Sequence, residues 1–299
     1  MHSSASATPC RAPLRLLLPL SYSSASCGSE AVPTFNEDDL VGVLQQFGYS
    51  AQRIATVARA KRPDVIATAA GETLLVELKI KIDDPKLLTN IKQATQGGGH
   101  YKDQRPMGTH RSWGSIVGGA VEQLQADPSA PSAIKLLCAV CDGMDQHDQR
   151  DQLHQSLYGI RAITHNSSPQ APAEGLLDIV ADRPIATCCY YFAPSLFAQH
   201  RAVLCGVMTR VEGKWRLLAN SLATQYAEFA ATRLYRSFQA SNAVIDPIAP
   251  KTIDPDDFVI APRAAGESDR DVLKRLEAKY GLVNPKAWRL DRHRIIGSY

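Results

Sequence analysis

Apolar positions along this chain follow two rhythms, a period of two in some stretches and a period near 3.6 in others. The clearest period-two stretch is Thr73-Leu74-Leu75-Val76-Glu77-Leu78-Lys79-Ile80-Lys81. It follows Arg62-Pro63-Asp64-Val65-Ile66-Ala67 and a turn at Gly71-Glu72. Side chains alternate faces along a strand, so this reads as two short strands joined by a turn. Leu74, Val76, Leu78 and Ile80 form a wholly apolar face, and Glu77 and Lys79 share the other face with Leu75. A run this apolar predicts a central strand rather than an edge hairpin with a solvated Glu–Lys pair. Two charges in such a strand are costly unless something pairs with them.

The helical rhythm appears on both sides of this pair. Asn36 is a good N-cap, the acids at 37–39 suit a first turn, and Leu40, Val43, Leu44 and Phe47 follow at helical spacing, with Gly48 as the stop. Residues 52–58 read as a further strand. Pro85, the glycines at 97–99 and Pro106 make most of 83–112 read as a polar, basic loop. A helix starts near Ser112 and carries Trp113, Ile116, Val117, Ala120, Val121 and Leu124, until Asp127-Pro128 stops it. Residues 134–141 form a buried strand.

The second half is less regular. Helices are predicted at 148–158, 223–238 and 269–280, and strands at 176–180, 185–192, 202–209 and 215–219, with a hairpin turn at Glu212-Gly213. The class is α/β. Residues 35–165 read as the core, and 166–299 as a C-terminal α+β elaboration of the same domain or a small accessory module. Residues 1–34 read as a disordered tail, because Arg15 and Pro19 break its only apolar run, too weak a core for a secretory signal.

Composition adds limits. The chain has 299 residues, 44% hydrophobic and 21% charged, which fits a soluble globular protein. A net charge of +3 permits nucleic-acid binding without requiring it. No apolar stretch reaches membrane-spanning length, so a cytoplasmic protein with no membrane partner is expected. Seven cysteines without regular spacing argue against a disulfide framework. Cys138-Ala-Val-Cys141 has metal spacing but no second ligand pair, and reads as buried thiols within a strand. His147 and His154 read as surface groups. Phosphate-loop, dinucleotide, HExxH and GxSxG signatures are absent, which removes those enzyme classes.

Pro63-Asp64, twelve intervening residues and Glu77-Leu78-Lys79 together resemble the signature of the PD-(D/E)xK nuclease superfamily. The predicted order of helix, three strands, helix and strand is similar to its restriction-endonuclease-like αβββαβ core, with a mixed central sheet. The resemblance implies a magnesium-dependent nuclease, manganese being a substitute, that hydrolyses phosphodiester bonds in nucleic acid, with DNA the favoured substrate. It implies that Asp64, Glu77 and the backbone carbonyl of Leu78 hold the metal, with Glu37 as an added first-helix acid. Lys79 would act on the attacking water or the developing charge. Gln123, on the helix after the lysine strand, would help hold metal or substrate, with Glu122 as the alternative. Lys81 and Arg111, with His110, would contact the nucleic-acid backbone. Two-strand cleavage would imply a homodimer, although no interface signature is legible. The competing readings are a non-catalytic nucleic-acid-binding module on the same fold and a protein-interaction domain in which the motif is coincidental.

Overall fold

The computed structural model describes residues 35–55, 61–107, 110–127, 130–143, 146–165, 178–180, 183–191, 195–246, 268–288 and 290–297. The stretch 1–34, read above as a tail, lies outside them.

Helix α1 (Glu37–Gln46) begins where the cap predicts. The Asn36 side chain accepts from the N–H groups of Asp38 and Asp39, and Asp39 returns a bond to the Asn36 N–H. Strand β1 (Ser50–Arg53) is shorter than the predicted strand, part of which (56–58) lies outside the described residues. Strands β2 (Val65–Ala69) and β3 (Glu72–Lys81) pair antiparallel, Val65 opposite Val76 and Ala69 opposite Glu72. The turn is therefore Ala70-Gly71, one residue earlier than expected. Both of its residues have positive φ, +40° and +87°, as a two-residue hairpin that follows the strand twist requires.

The predicted loop at 83–112 is corrected by the structure. Helix α2 (Pro85–Thr95) starts on Asp84, whose side chain accepts from the Lys86 N–H, with Pro85 at the first helical position. Proline is at home there, since its missing N–H has no partner in the first turn anyway. The glycines come after the helix has ended rather than within it. Strand β4 (His100–Met107) follows. Helix α3 (Arg111–Ala126) and strand β5 (Ile134–Cys141) then stand where the periodicity places them.

Helix α4 (Gln146–Tyr158), strands β6 (Ile160–His165), β7 (Asp178–Val180) and β8 (Arg183–Tyr191), and the short helix α5 (Leu196–Gln199) lead to a hairpin of β9 (Leu204–Val211) and β10 (Lys214–Ala219). The single helix predicted at 223–238 is two, α6 (Tyr226–Ala230) and α7 (Arg233–Ala240). Thr232 caps the second by accepting from the Tyr235 N–H. The Glu72 carboxylate takes the Arg233 N–H, and the Tyr49 hydroxyl takes that of Leu234. Those long-range partners for free helix-end N–H groups favour a break that periodicity alone does not reveal. Strand β11 (Val244–Ile245), helix α8 (Asp269–Tyr280) and strands β12 (Lys286–Trp288) and β13 (Leu290–Gly297) complete the described chain.

Seven strands form one mixed sheet in the order β1-β2-β3-β5-β9-β10-β11. The pairs β3–β5 and β5–β9 are parallel, while β1–β2–β3 and β9–β10 are antiparallel. Strands from residues 204–245 thus continue the sheet that the hairpin begins. A second sheet has the order β12-β6-β8-β7, in which β6, ending at His165, pairs with β8; β13 pairs with β4.

The alternation along β3 divides the core into two layers. Leu74, Val76 and Leu78 pack with Leu40 and Leu44 of α1 and with Phe229, Leu234 and Phe238 from α6 and α7. Leu75 packs on the other face with Trp113, Val117 and Leu124 of α3 and with Leu153 and Leu157 of α4. Leu136 and Cys138 belong to the first layer, and Leu137 and Cys141 to the second. The two cysteines of the CxxC therefore point to opposite sides of the sheet and cannot share one metal. Burial pushes the Cys141 thiol up to about 12 and the Cys138 thiol up as well.

Candidate active site

The β2–β3 hairpin and α3 bring Asp64, Glu77, Lys79 and Gln123 into one group. Glu77 and Lys79 face α3, since odd-numbered residues of β3 share Leu75's side of the sheet. Asp64 immediately precedes β2, one step beyond the Val65–Val76 pair, which puts it opposite Glu77 in register. Its carbonyl accepts from the Ile54 N–H at 2.8 Å, and its carboxylate accepts from the Leu78 N–H at 2.7 Å. The Leu78 peptide thus faces the edge that β2 has not yet begun to cover. In an antiparallel ladder a residue's N–H and C=O point to the same neighbour, so the Leu78 carbonyl is turned to the side that holds Asp64.

Glu77 is fully buried. One of its oxygens, Oε1, accepts from Lys79 Nζ. The other, Oε2, is enclosed and accepts from no protein donor among the described residues; Asp64 can bond to Glu77 only when one of the two acids carries a proton. Burial raises the carboxyl from 4.5 to about 7. The Lys79 hydrogen bond and charge oppose that rise, whereas the nearby Asp64 carboxylate adds to it through its charge and a hydrogen bond between the two acids. At neutral pH Glu77 is therefore poised between its protonated and its charged form.

Lys79 reaches from this buried acid toward solvent, its side chain 30% exposed. Its ammonium also donates to Gln123 Oε1 at 2.8 Å, and Gln123 Nε2 donates to the Arg62 carbonyl at 3.3 Å. Gln123 is occupied at both ends. It links the lysine to the segment that carries Asp64. That segment is pinned to α3 twice more, by Lys61 with Glu122 at 2.5 Å and by Arg62 with the buried Asp127 at 3.2 Å. Glu122 therefore points away from the group and pairs on the exposed flank.

Glu37 is not brought to this group. Helix α1 covers the opposite face of the sheet, and Glu37 faces Arg53 at 3.8 Å. The acid serves its own helix end and a neighbouring cation instead of a metal site. Arg111 is the exposed first residue of α3. Lys81, on the same face of β3 as Lys79, donates to Ser112 Oγ at 2.9 Å and lies 5.1 Å from the centre of the Trp113 ring. His154, expected at the surface, is largely enclosed. Its Nε2 has no partner among the described residues, and burial, aided by the Arg150 charge, lowers it to about 4.

The donor set suits a hard divalent cation. Asp64, the orphaned Oε2 of Glu77 and the Leu78 carbonyl are all oxygen ligands, the kind magnesium prefers alongside retained waters. An enclosed, unpartnered carboxylate oxygen is costly, and a cation is the natural group to satisfy it. Among the described residues no three His, Cys, Asp or Glu side chains converge on one point, so such an ion would rest on two carboxylates, backbone and water. No helix of the described residues is long and apolar enough to cross a membrane. No family model matches the chain, and no curated protein or solved structure matches it either.

Proposed function

We propose that this protein is a metal-dependent nuclease that hydrolyses phosphodiester bonds, with DNA as its substrate, on a core resembling that of the PD-(D/E)xK superfamily. The observation that carries this reading is the meeting of Asp64 with a buried Glu77 whose Oε2 lacks a partner, beside a lysine held by two acceptors. A structural ion pair would need neither the second acid nor the unsatisfied oxygen. The choice of DNA over RNA rests on the resemblance alone.

Asp64, Glu77 and the Leu78 carbonyl would hold magnesium, which when bound supplies a more acidic water and takes up charge at the phosphate. The chain's own contribution is largely placement. Glu77 Oε1 and Gln123 Oε1 fix the Lys79 ammonium, leaving its partly exposed tip to donate to an attacking water or to an oxygen of the reacting phosphate. Asp64 is fixed by the Leu78 N–H, so its carboxylate cannot swing into solvent. Gln123 holds the spacing between the lysine and the Asp64 segment.

The test is cleavage of plasmid, single-stranded DNA and RNA by the full chain with magnesium, manganese or EDTA. Cutting that needs the metal and is lost in both Asp64→Ala and Lys79→Ala is the expected result. Binding without cutting under every condition refutes catalysis and leaves a nucleic-acid-binding module. Neither binding nor cutting refutes the reading altogether.

A further inference from the structure

A second polar group sits beside the first and is not needed to explain it. Along β3, Lys79 and Lys81 are two residues apart on one face, which spaces them by roughly 6.6 Å. That is comparable with the separation of neighbouring phosphates along one strand of nucleic acid. Lys81 Nζ donates to Ser112 Oγ at 2.9 Å, and His110 Nδ1 lies 2.6 Å from the same oxygen. The stem and charge of Lys81 are steadied over the buried Trp113 ring, 5.1 Å from its centre. The His110 backbone is itself tied down, because its N–H donates to Ser156 Oγ at 2.8 Å.

We propose that Lys81, Ser112 and His110 form a built seat for a second phosphate of the nucleic acid, one nucleotide along from the bond cleaved at Lys79. The inference rests on the nuclease reading above. A serine hydroxyl has two acceptor lone pairs and one donor. When His110 carries its proton on Nδ1, it and Lys81 fill both lone pairs of Ser112 Oγ. The hydroxyl hydrogen then turns outward and needs an acceptor. A phosphate oxygen meets that need while the ammonium beside it supplies the charge. Burial and the Lys81 charge both lower the His110 pKa, which favours the neutral ring before the seat fills. In this arrangement Lys81 and Ser112 touch the phosphate, and His110 is a positioning residue.

Fluorescence anisotropy on labelled duplex and single-stranded oligonucleotides tests the seat, with Asp64→Ala as the parent so that bound substrate is not cut. Affinity is measured over a range of KCl. Adding Lys81→Gln is expected to reduce the slope of log affinity against log salt by about 0.9 on duplex and about 0.7 on single strands, the loss of one phosphate contact. Adding Lys81→Arg is expected to keep the slope. Ser112→Ala and His110→Ala are expected to weaken binding several-fold with the slope unchanged, since they remove hydrogen bonding and orientation but no charge. A parent that binds, and a wild type that cuts, with an unaltered slope in Lys81→Gln would overturn the seat and leave the nuclease standing. An unaltered affinity in Ser112→Ala would overturn it equally, and that small change at a helix start gives a readout even where Lys81→Gln does not fold. Absence of both binding and cutting in the wild type would overturn the nuclease reading and the seat together.

Discussion

Replacing Glu77 by glutamine should make the metal-free protein more stable while destroying its use. Glu77 is fully enclosed, and without a cation its carboxyl ionises near 7 instead of 4.5. The folded protein therefore keeps a proton that the unfolded chain gives up across that interval, and stability falls as pH rises through it. A shift of this size corresponds to about 3 kcal/mol of stability, fully present below the lower value and lost in full above the higher one. Glutamine has nearly the same shape and no charge. Its carbonyl can accept from Lys79, and its amide can donate to Asp64. In EDTA, Glu77→Gln should match the wild type near pH 4.5 and exceed it by up to about 3 kcal/mol near pH 8. Urea unfolding followed by far-UV circular dichroism measures both. Taking the difference between the two proteins at each pH cancels His110, His154 and His200, whose lowered values act with the opposite sign. Magnesium should close most of that gap near pH 8. A ligand at a hundred times its dissociation constant adds about 2.7 kcal/mol to a protein that binds it only when folded, and the variant should gain little of this. A glutamine variant no more stable than the wild type near pH 8 in EDTA would refute the claim that Glu77 is held at a cost in wait for a cation.

His154 should produce the mirror image. Its folded-state value of about 4 lies below the usual 6.5, so its contribution is intact above about 6.5 and is lost as pH falls toward 4, a change of about 3 kcal/mol that His154→Leu should abolish in the same unfolding assay. Gln123→Ala should lower the cleavage rate roughly ten- to a hundredfold with magnesium affinity unchanged, read by single-turnover kinetics and calorimetry, because it frees Lys79 without touching a metal ligand. Cys138, Cys141 and Cys205 should resist a thiol reagent in the native protein and react only on unfolding, since all three are buried with their thiols pushed up. Trp113→Ala should cost roughly 3–5 kcal/mol in chemical denaturation, because a fully buried ring and its bond to the Gln149 carbonyl are both lost.

Local chemistry in the chain determined much of this. The period-two run at β3 fixed which residues face which layer, because a strand has no freedom to mix its two faces. The Asn36 cap and the apolar stripe of α3 fixed their helices for the same local reason. Glu77 and Lys79 could be singled out because charges inside an apolar strand demand partners, and Asp64 because its spacing from them resembles the nuclease motif. Other features depended on residues far apart in sequence. Pro85 reads as a breaker until Asp84 is seen capping a helix that ends before the glycines. The break between α6 and α7 follows from Glu72 and Tyr49, more than 150 residues earlier. Glu37 looked like a ligand because helix order says nothing about which side of the sheet a helix covers, and packing put α1 on the far side. The double engagement of Gln123, the missing partner of Glu77 Oε2 and the Lys81–Ser112–His110 cluster exist only once α3 lies across β3. A hydrogen bond between distant residues is a property of packing, and one chain read in order carries no record of it.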